Sequence, residues 1–477
     1  MSQSKVVFNA RPSLSTEHPL EAELVRRMRG PQRYRLLQGY PMPPLMKSVK
    51  VPFEIEPVKP DLDRKLIVGV LPHASCAPSV RGCGYCTFPH QNYRRSSVVE
   101  TVDRVIQEVR NTPHKGREVE ALYFGGGTAN LTPPESFEKL LGTVKNTFDL
   151  ERAEITLEGA PAFFLSHGQE LLRQLQTGVK AQHKRLSMGV QTFSEQWLEK
   201  MGRLSLGNPR QIEAAVKAAH DRGMTCSADL MINLPGQSLS EMLADVERAS
   251  TIGFDQVCIY HLVLFRGIGT PWSRNSDMLK ALPDNESAYE NWLRVTERAQ
   301  ELGYIQKTVT NFERSGNYRY ENDSFQPEAF DAVGFGPAGI SGYTDLATQT
   351  GVKWINQTSN EEYRSLMDDR GDARNKVFMY GKMDLKLLYL TRTLAGLTSS
   401  RDSYKANYGS DPVDDFAEEV EVFEKAGLVS ITDSSISLTR RGNFFADSVT
   451  GLLARRRVSE LRNSLDDPNS SGKIHMG

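Results

Sequence analysis

Three cysteines within eleven residues, Cys76, Cys83 and Cys86, are the first chemistry the chain offers. The other two, Cys226 and Cys258, stand alone, and an odd count of five is a poor basis for a disulfide framework. Three thiolates on one loop can hold zinc, an iron–sulfur cluster, or nothing. Zinc asks for a fourth ligand, and His73 and His90 are near enough in sequence to offer one. A cubane held by three cysteines keeps one iron open to an exchangeable ligand, which makes it reactive as well as redox-active. A second signal lies one strand–helix unit later, where three glycines at 125–127 precede Thr128. Such glycines let backbone approach a ligand closely, and their amides can meet a carboxylate, although a tight turn has the same composition.

These groups need elements to position them, and the sequence supplies a strand–helix rhythm. Short apolar runs recur at 66–71, 121–124, 155–157, 185–190, 226–232 and 256–260. Between them, Val99, Val102, Val105, Ile106 and Val109 share a helical face, as do Phe137, Leu140, Leu141 and Val144. Six such units predict an α/β fold whose parallel sheet has right-handed crossovers, either open or curled into a partial barrel. Ligands in such folds sit at the carboxyl ends of the strands. The expected site therefore gathers the cysteine loop, 125–128, Glu158, Gln191, Asp229 and the Tyr260–His261 pair.

The remainder of the chain sets boundaries. With 477 residues, a net charge of −1 and 39% hydrophobic residues, it reads as a globular protein of two or three domains. That balance gives no electrostatic case for nucleic acid or an anionic membrane as partner. No apolar run approaches the roughly 18 residues of a membrane span, and the N-terminus lacks a secretory core, so a reducing, cytoplasmic setting is expected. Residues 1–60 form an N-terminal arm, with a short helix at 20–29 and a proline-rich extended stretch at 33–44. Residues 61–275 form the barrel and 276–374 an extension. At 375–455, helices precede an alternating hairpin (428–439), the pattern of a winged-helix-like domain. The acidic stretch 414–421 ahead of that hairpin would repel phosphate. A tail at 456–477 is expected to be disordered.

The motifs taken together are more specific than any one of them. They are Gly-Tyr-Cys-Thr-Phe at 84–88, Phe-Gly-Gly-Gly-Thr at 124–128, Ile-Thr-Leu-Glu-Gly-Ala-Pro at 155–161, and Arg-Leu-Ser-Met-Gly-Val-Gln-Thr-Phe at 185–193 followed by Gly202-Arg203. Asp-Leu-Met-Ile-Asn-Leu-Pro-Gly-Gln at 229–237, Ile-Tyr-His-Leu at 259–262 and Gly-Phe-Gly-Pro-Ala at 334–338 complete the set. In this order and spacing the chain resembles the radical S-adenosylmethionine (SAM) superfamily, within it the branch of oxygen-independent coproporphyrinogen III oxidase. The resemblance implies a partial (β/α)6 radical SAM barrel and a [4Fe-4S] cluster on Cys76, Cys83 and Cys86. It places Tyr85 against SAM, Gly126, Gly127 and Thr128 along the SAM sites, and Glu158 on the iron-bound SAM. Gln191, Arg203 and Asp229 match a second SAM site, and His261 falls near a further SAM contact. A flavodoxin or ferredoxin is the reducing partner the superfamily leads one to expect.

Three departures shape the expected function. The cysteines are spaced six then two, where the family has three then two. A Tyr-x-His-x-Pro pattern of the porphyrin-oxidising members is reduced to Pro72. Relatives' Tyr-Glu-Ile-Ser-Asn-Phe and His-Asn appear as Lys-Thr-Val-Thr-Asn-Phe at 307–312 and as Glu321-Asn322. Keeping the SAM side while rewriting the substrate side resembles the class C radical SAM methyltransferases and cyclopropanases. This implies two SAM molecules, transfer of a one-carbon unit to an sp² carbon of a specialised metabolite, and a small-molecule or modified-peptide substrate. A general base is expected too, with His261, His90 and Glu321 as candidates. The alternatives are a coproporphyrinogen dehydrogenase, a heme-modifying or heme-carrying relative, and a zinc-stapled binding protein.

Overall fold

Alternation along each strand builds two interiors at once. In β1 (Lys65–Val70), Leu66, Val68 and Val70 are fully buried in the core beneath the helices, while Ile67 and Gly69 face the other way and line a cavity. The same division runs through β2 (Val119–Phe124), β3 (Glu154–Gly159), β4 (His183–Gln191), β5 (Thr225–Ile232) and β6 (Gln256–His261). In this computed structural model, which describes residues 14–49 except 16 and 64–466 except 315 and 317, the six strands pair in parallel, each with the next in sequence.

Helices Arg95–Arg110, Pro134–Thr147, Glu170–Thr177, Pro209–His220 and Leu239–Ile252 make the crossovers. Two begin on reciprocal caps, Asn208 with Gln211 and Ser238 with Glu241, and so start where the sequence directs. β1 and β6 do not pair with each other. β7 (Asn311–Glu313) adds antiparallel to β6, and β8 (Phe330–Phe335) adds parallel to β1. β9 (Ile340–Asp345), β10 (Thr350–Asn356) and β11 (Arg374–Tyr380) extend that edge as an antiparallel meander. The fold is thus the expected α/β architecture of six parallel strands with helical crossovers, widened on both sides.

After β11 the chain forms helices Lys382–Ala395, Arg401–Tyr408 and Ala417–Lys425 and a three-stranded sheet of Thr398–Ser400, Ser435–Leu438 and Val429–Ile431. Helices thus precede the hairpin of Val429–Ile431 and Ser435–Leu438, which Thr398–Ser400 extends to three strands. The acidic residues of this region are used internally, Asp415 against Lys386 at 2.7 Å and Glu419 against Arg455 at 3.1 Å.

Two local expectations are corrected. The arm is not extended throughout, since Arg35–Gly39 closes a short helix before the prolines take over. The tail begins as a helix, Arg455–Asp466, whose arginines pair with Asp384, Glu418 and Glu419; residues 467–477 lie outside those described. The arm seats on the C-terminal domain through Gln32 to Ser448 (2.9 Å) and Lys425 to Glu21 (2.6 Å). Among the described residues no helix is long and apolar enough to cross a membrane.

Candidate functional site

The cysteine loop departs from β1 and is pinned at both ends. Ser75–Cys76 pairs in parallel with Gln91–Asn92, so the loop returns beside its own start. Asn360, far along the chain, accepts from the Ala74 amide (2.8 Å) and donates to Ser75 Oγ (3.1 Å). Between the pins, Gly82, Cys83 and Gly84 all adopt left-handed backbone, with φ of 56°, 52° and 86°. For Cys83 that conformation costs about 1 kcal/mol or more, and the surroundings enforce it. Trp272 lies so close over Gly84 that a Cβ there would be 2.1 Å from the indole nitrogen. Trp272 belongs with Cys83, Trp197, Met201, Leu262 and Leu264 to a separate apolar cluster behind the loop.

The six residues between Cys76 and Cys83 have a visible use. Ser79 donates its amide to the Gly202 carbonyl at 3.0 Å, so the long loop docks on the Gly202–Arg203 turn. That contact brings Arg203 Nη1 to 3.3 Å from Cys83 Sγ. The spacing therefore serves positioning of the loop as well as its rim.

The triple glycine differs from its expected role. Gly127 and Thr128 donate their amides to the carbonyls of His73 (3.4 Å) and Ser75 (3.0 Å), and a Cβ on Gly127 would sit 2.5 Å from the Ser75 oxygen. These amides dock the cysteine loop onto β2 instead of waiting for a carboxylate. Thr128 also hydrogen-bonds the Cys76 thiol through its side chain.

One cavity of about 530 Å³ collects the result. Cys76, Cys83, Cys86 and Tyr85 line it, as do Gly126, Gly127, Thr128 and Glu158. Gln191, Arg203 and Asp229 complete the expected set, with Tyr85 Oη donating to Gln191 Oε1 at 2.8 Å. His261 does not line it. Its ring packs on Phe444 of the C-terminal domain (5.1 Å), its Nδ1 lies 3.1 Å from Asn233 Nδ2, and burial lowers its pKa to about 4. Glu321's side chain lies outside the described ones. Sequence reasoning missed Tyr123 and Tyr320, stacked at 4.5 Å within the cavity wall. Tyr320 sits beside the rewritten Glu321-Asn322 pair, the signal that could have found it.

The donor set fits a multi-iron group better than a single ion. Among the described residues no three His, Cys, Asp or Glu side chains converge closely enough to hold one metal ion, yet the three thiols share one cavity. Burial pushes the Cys76 thiol up to about 11 and raises Cys86 as well, so both need nearby positive charge to ionise. Bound iron supplies that charge.

The family model described as the radical SAM superfamily matches residues 80–249. Those residues resemble a radical SAM domain. The chain is similar to the heme chaperone HemW of Bacillus subtilis (strain 168), 24% identical over 381 residues that cover 77% of this chain and 95% of the relative. It is also similar to HemW of Escherichia coli (strain K12), 27% identical over 54% of this chain and 66% of the relative. A further relative is the mitochondrial radical S-adenosyl methionine domain-containing protein 1 of Danio rerio, 29% identical over 54% of this chain and 57% of that protein. Among solved structures, coproporphyrinogen III oxidase (HemN) from Escherichia coli superposes with a TM-score of 0.72 at 19% identity, covering 87% of this chain and 96% of that one. The HemN superposition shows a shared fold, and the relatives found by sequence include two heme chaperones.

These findings overturn the expectation of a class C methyltransferase or cyclopropanase acting on a specialised metabolite. The similarities lead to heme chaperones and to the fold of a coproporphyrinogen oxidase. The missing Tyr and His before Cys76 do not name the chemistry of this chain.

Proposed function

We propose that this protein binds heme and passes it on, with a [4Fe-4S] cluster and SAM as resident groups. The observation that carries the reading is a likeness to a heme chaperone that spans 95% of the relative's length. Loss of the Tyr-x-His-x-Pro pattern disfavours the porphyrinogen-oxidising alternative. Tyr123, Tyr260 and Tyr320 add aromatic surface to the cavity wall, suited to a planar macrocycle.

In this reading Cys76, Cys83 and Cys86 hold the cluster, and Arg203 steadies Cys83 with a charge-assisted hydrogen bond. The cluster, when bound, supplies single electrons to SAM. Tyr85, Gly126 and Glu158 hold that SAM, while Gly127 and Thr128 keep the loop in register beneath it. Gln191, Arg203 and Asp229 lie on the same cavity and are the proposed contacts for a second SAM. The dry apolar cluster around Trp272 keeps water from the back of the loop.

The test is an anaerobic heme titration of the reconstituted protein, followed by transfer to a heme-free globin. Stoichiometric heme binding with a shifted Soret band, and handover to the globin, are expected. Conversion of coproporphyrinogen III to protoporphyrinogen with release of 5′-deoxyadenosine, or failure to bind heme at all, would overturn the proposal. Equilibrium dialysis of SAM checks the second site separately, with two molecules per chain expected.

A further inference from the structure

His90 is the one histidine lining the cysteine cavity among the described residues, and its two ring nitrogens are in different states. Nδ1 lies 2.8 Å from the Phe88 carbonyl oxygen, which can only accept, so Nδ1 carries the hydrogen. In the neutral ring Nε2 then presents a lone pair. That atom is buried and has no hydrogen-bond partner among the described residues. A ring whose far N–H is fixed by a backbone carbonyl is the usual posture of a metal-bound histidine.

The backbone holds the ring there. Gln91 and Asn92 pair with Ser75 and Cys76, and the Gln91 amide donates to the Ala74 carbonyl at 2.7 Å, so His90 is tied to the start of the cysteine loop. The ring packs over Gly82, where a Cβ would meet His90 Cε1 at 2.8 Å and Nε2 at 3.2 Å, with Cys86 Cβ 3.7 Å from the same point. Gly82 ends the lengthened spacing between Cys76 and Cys83, so that spacing shapes the seat of the imidazole. His73 offers an instructive contrast. The Ser75 amide donates to its Nδ1 at 3.1 Å, so its Nε2 carries the hydrogen and has no lone pair to give, and it lies outside the cavity lining.

We propose that His90 Nε2 is a fourth protein donor to the cluster, holding the iron that no cysteine takes until SAM displaces it. The proposal rests on the reading that Cys76, Cys83 and Cys86 carry a [4Fe-4S] cluster. The exchange moves no electron: a neutral imidazole leaves the iron, the α-ammonium of SAM gives up one proton to the released imidazole or to solvent, and the resulting amine and the carboxylate would take the iron. Such a ligand would guard the open iron whenever SAM is away.

The experiment is pulsed EPR on the reduced, SAM-free cluster, in unlabelled protein and in protein grown with 15N-histidine. A strong nitrogen coupling that changes isotope with the label is expected, absent from His90→Ala and His90→Gln and lost from the wild type on adding SAM. SAM should bind about tenfold more tightly to His90→Ala if the imidazole holds the iron nine-tenths of the time, roughly the tax on a site open one-tenth of the time. An intact SAM-free cluster with no histidine coupling overturns the proposal. If the variants assemble no cluster, the isotope measurement on the wild type decides alone. A wild type that takes up no iron and sulfide sinks the cluster reading itself, a different failure from loss of the histidine coupling.

Discussion

Arg203 Nη1 donates to Cys83 Sγ over 3.3 Å, and the same guanidinium also donates to the Gly189 carbonyl at the end of β4. One side chain thus ties the middle cysteine to the sheet. It reaches that position because Ser79 docks on Gly202, immediately before it in the chain.

Removing this cation should make the cluster harder to reduce. Reduction adds negative charge beside Arg203, so Arg203→Ala is expected to lower the cluster potential by on the order of 60 mV, about one tenfold step in a one-electron equilibrium. Arg203→Lys should recover part of that shift, since it keeps the charge and loses the planar fork. Redox titration followed by EPR measures both. An unchanged potential with full iron content would show that the contact gives way when iron is bound.

Gly127→Ala should undock the cysteine loop. Its Cβ would be 2.5 Å from the Ser75 oxygen, which is backbone and cannot swing aside. Loss of cluster uptake and a destabilisation of about 1–3 kcal/mol are expected, from overpacking. Gly142→Ala is the matched control. It lies within helix Pro134–Thr147 with nothing within 4 Å of the added carbon, so stability should rise by about 0.5–1 kcal/mol. Urea unfolding of the two variants should therefore move in opposite directions.

Gly84→Ala should be rescued only in part by shrinking Trp272. The added carbon would lie 2.1 Å from the indole nitrogen, and φ of 86° is unfavourable for alanine whatever the space. The single variant is expected to lose about 3 kcal/mol or more from combined clash and strain. In a Trp272→Ala background the clash disappears and the backbone strain of about 1 kcal/mol persists. Iron content and unfolding midpoints of the four proteins in the cycle would check it; strict additivity would refute the contact as the cause.

The barrel was legible because alternation writes both faces of each strand into the sequence. Leu66, Val68 and Val70 record the helix side while Gly69 and the strand-end Glu158 and Gln191 record the lumen. The hairpin was legible for the same reason, from Ile431, Ile436 and Leu438. Trp272 over Gly84 was not, since 262–284 has no periodicity to place it. Nor was Asn360, which docks on Ala74 from another part of the chain. The His261 expectation failed at a level that sequence spacing does not encode. It lies at a strand end as expected, but Phe444 of the C-terminal domain occupies its side. The function was misread because a departure from a motif on the substrate side carries no record of what substrate is bound instead.

Two buried carboxyls should each take stability away as pH rises through the weakly acidic range. Glu313, on the strand that adds antiparallel to β6, is 1% exposed. Burial raises its pKa from 4.5 to about 7, against the opposing pull of Lys307 at 3.8 Å. Glu108 moves the same way, also to about 7, despite donors from Gly336, Asn356 and Tyr363. In the unfolded chain both carboxyls ionise near 4.5, while the folded protein keeps their protons until about 7. Across that window the folded state binds more protons, so unfolding becomes easier with each step up in pH. Carboxylates held low by arginine, such as Asp411 beside Arg401, act in the opposite sense and only at more acid pH. Buried His73, His114 and His261, whose pKa burial lowers to about 4, pull the other way below about pH 6.5, so the carboxyl contribution is read as the difference between wild type and Glu313→Gln at about pH 5 and about pH 8. Glu313→Gln keeps the shape without the charge, so it should flatten part of that slope and stabilise the protein at the upper end. A variant whose midpoint falls with pH as steeply as the wild type would show that Glu313 is already ionised in the folded barrel.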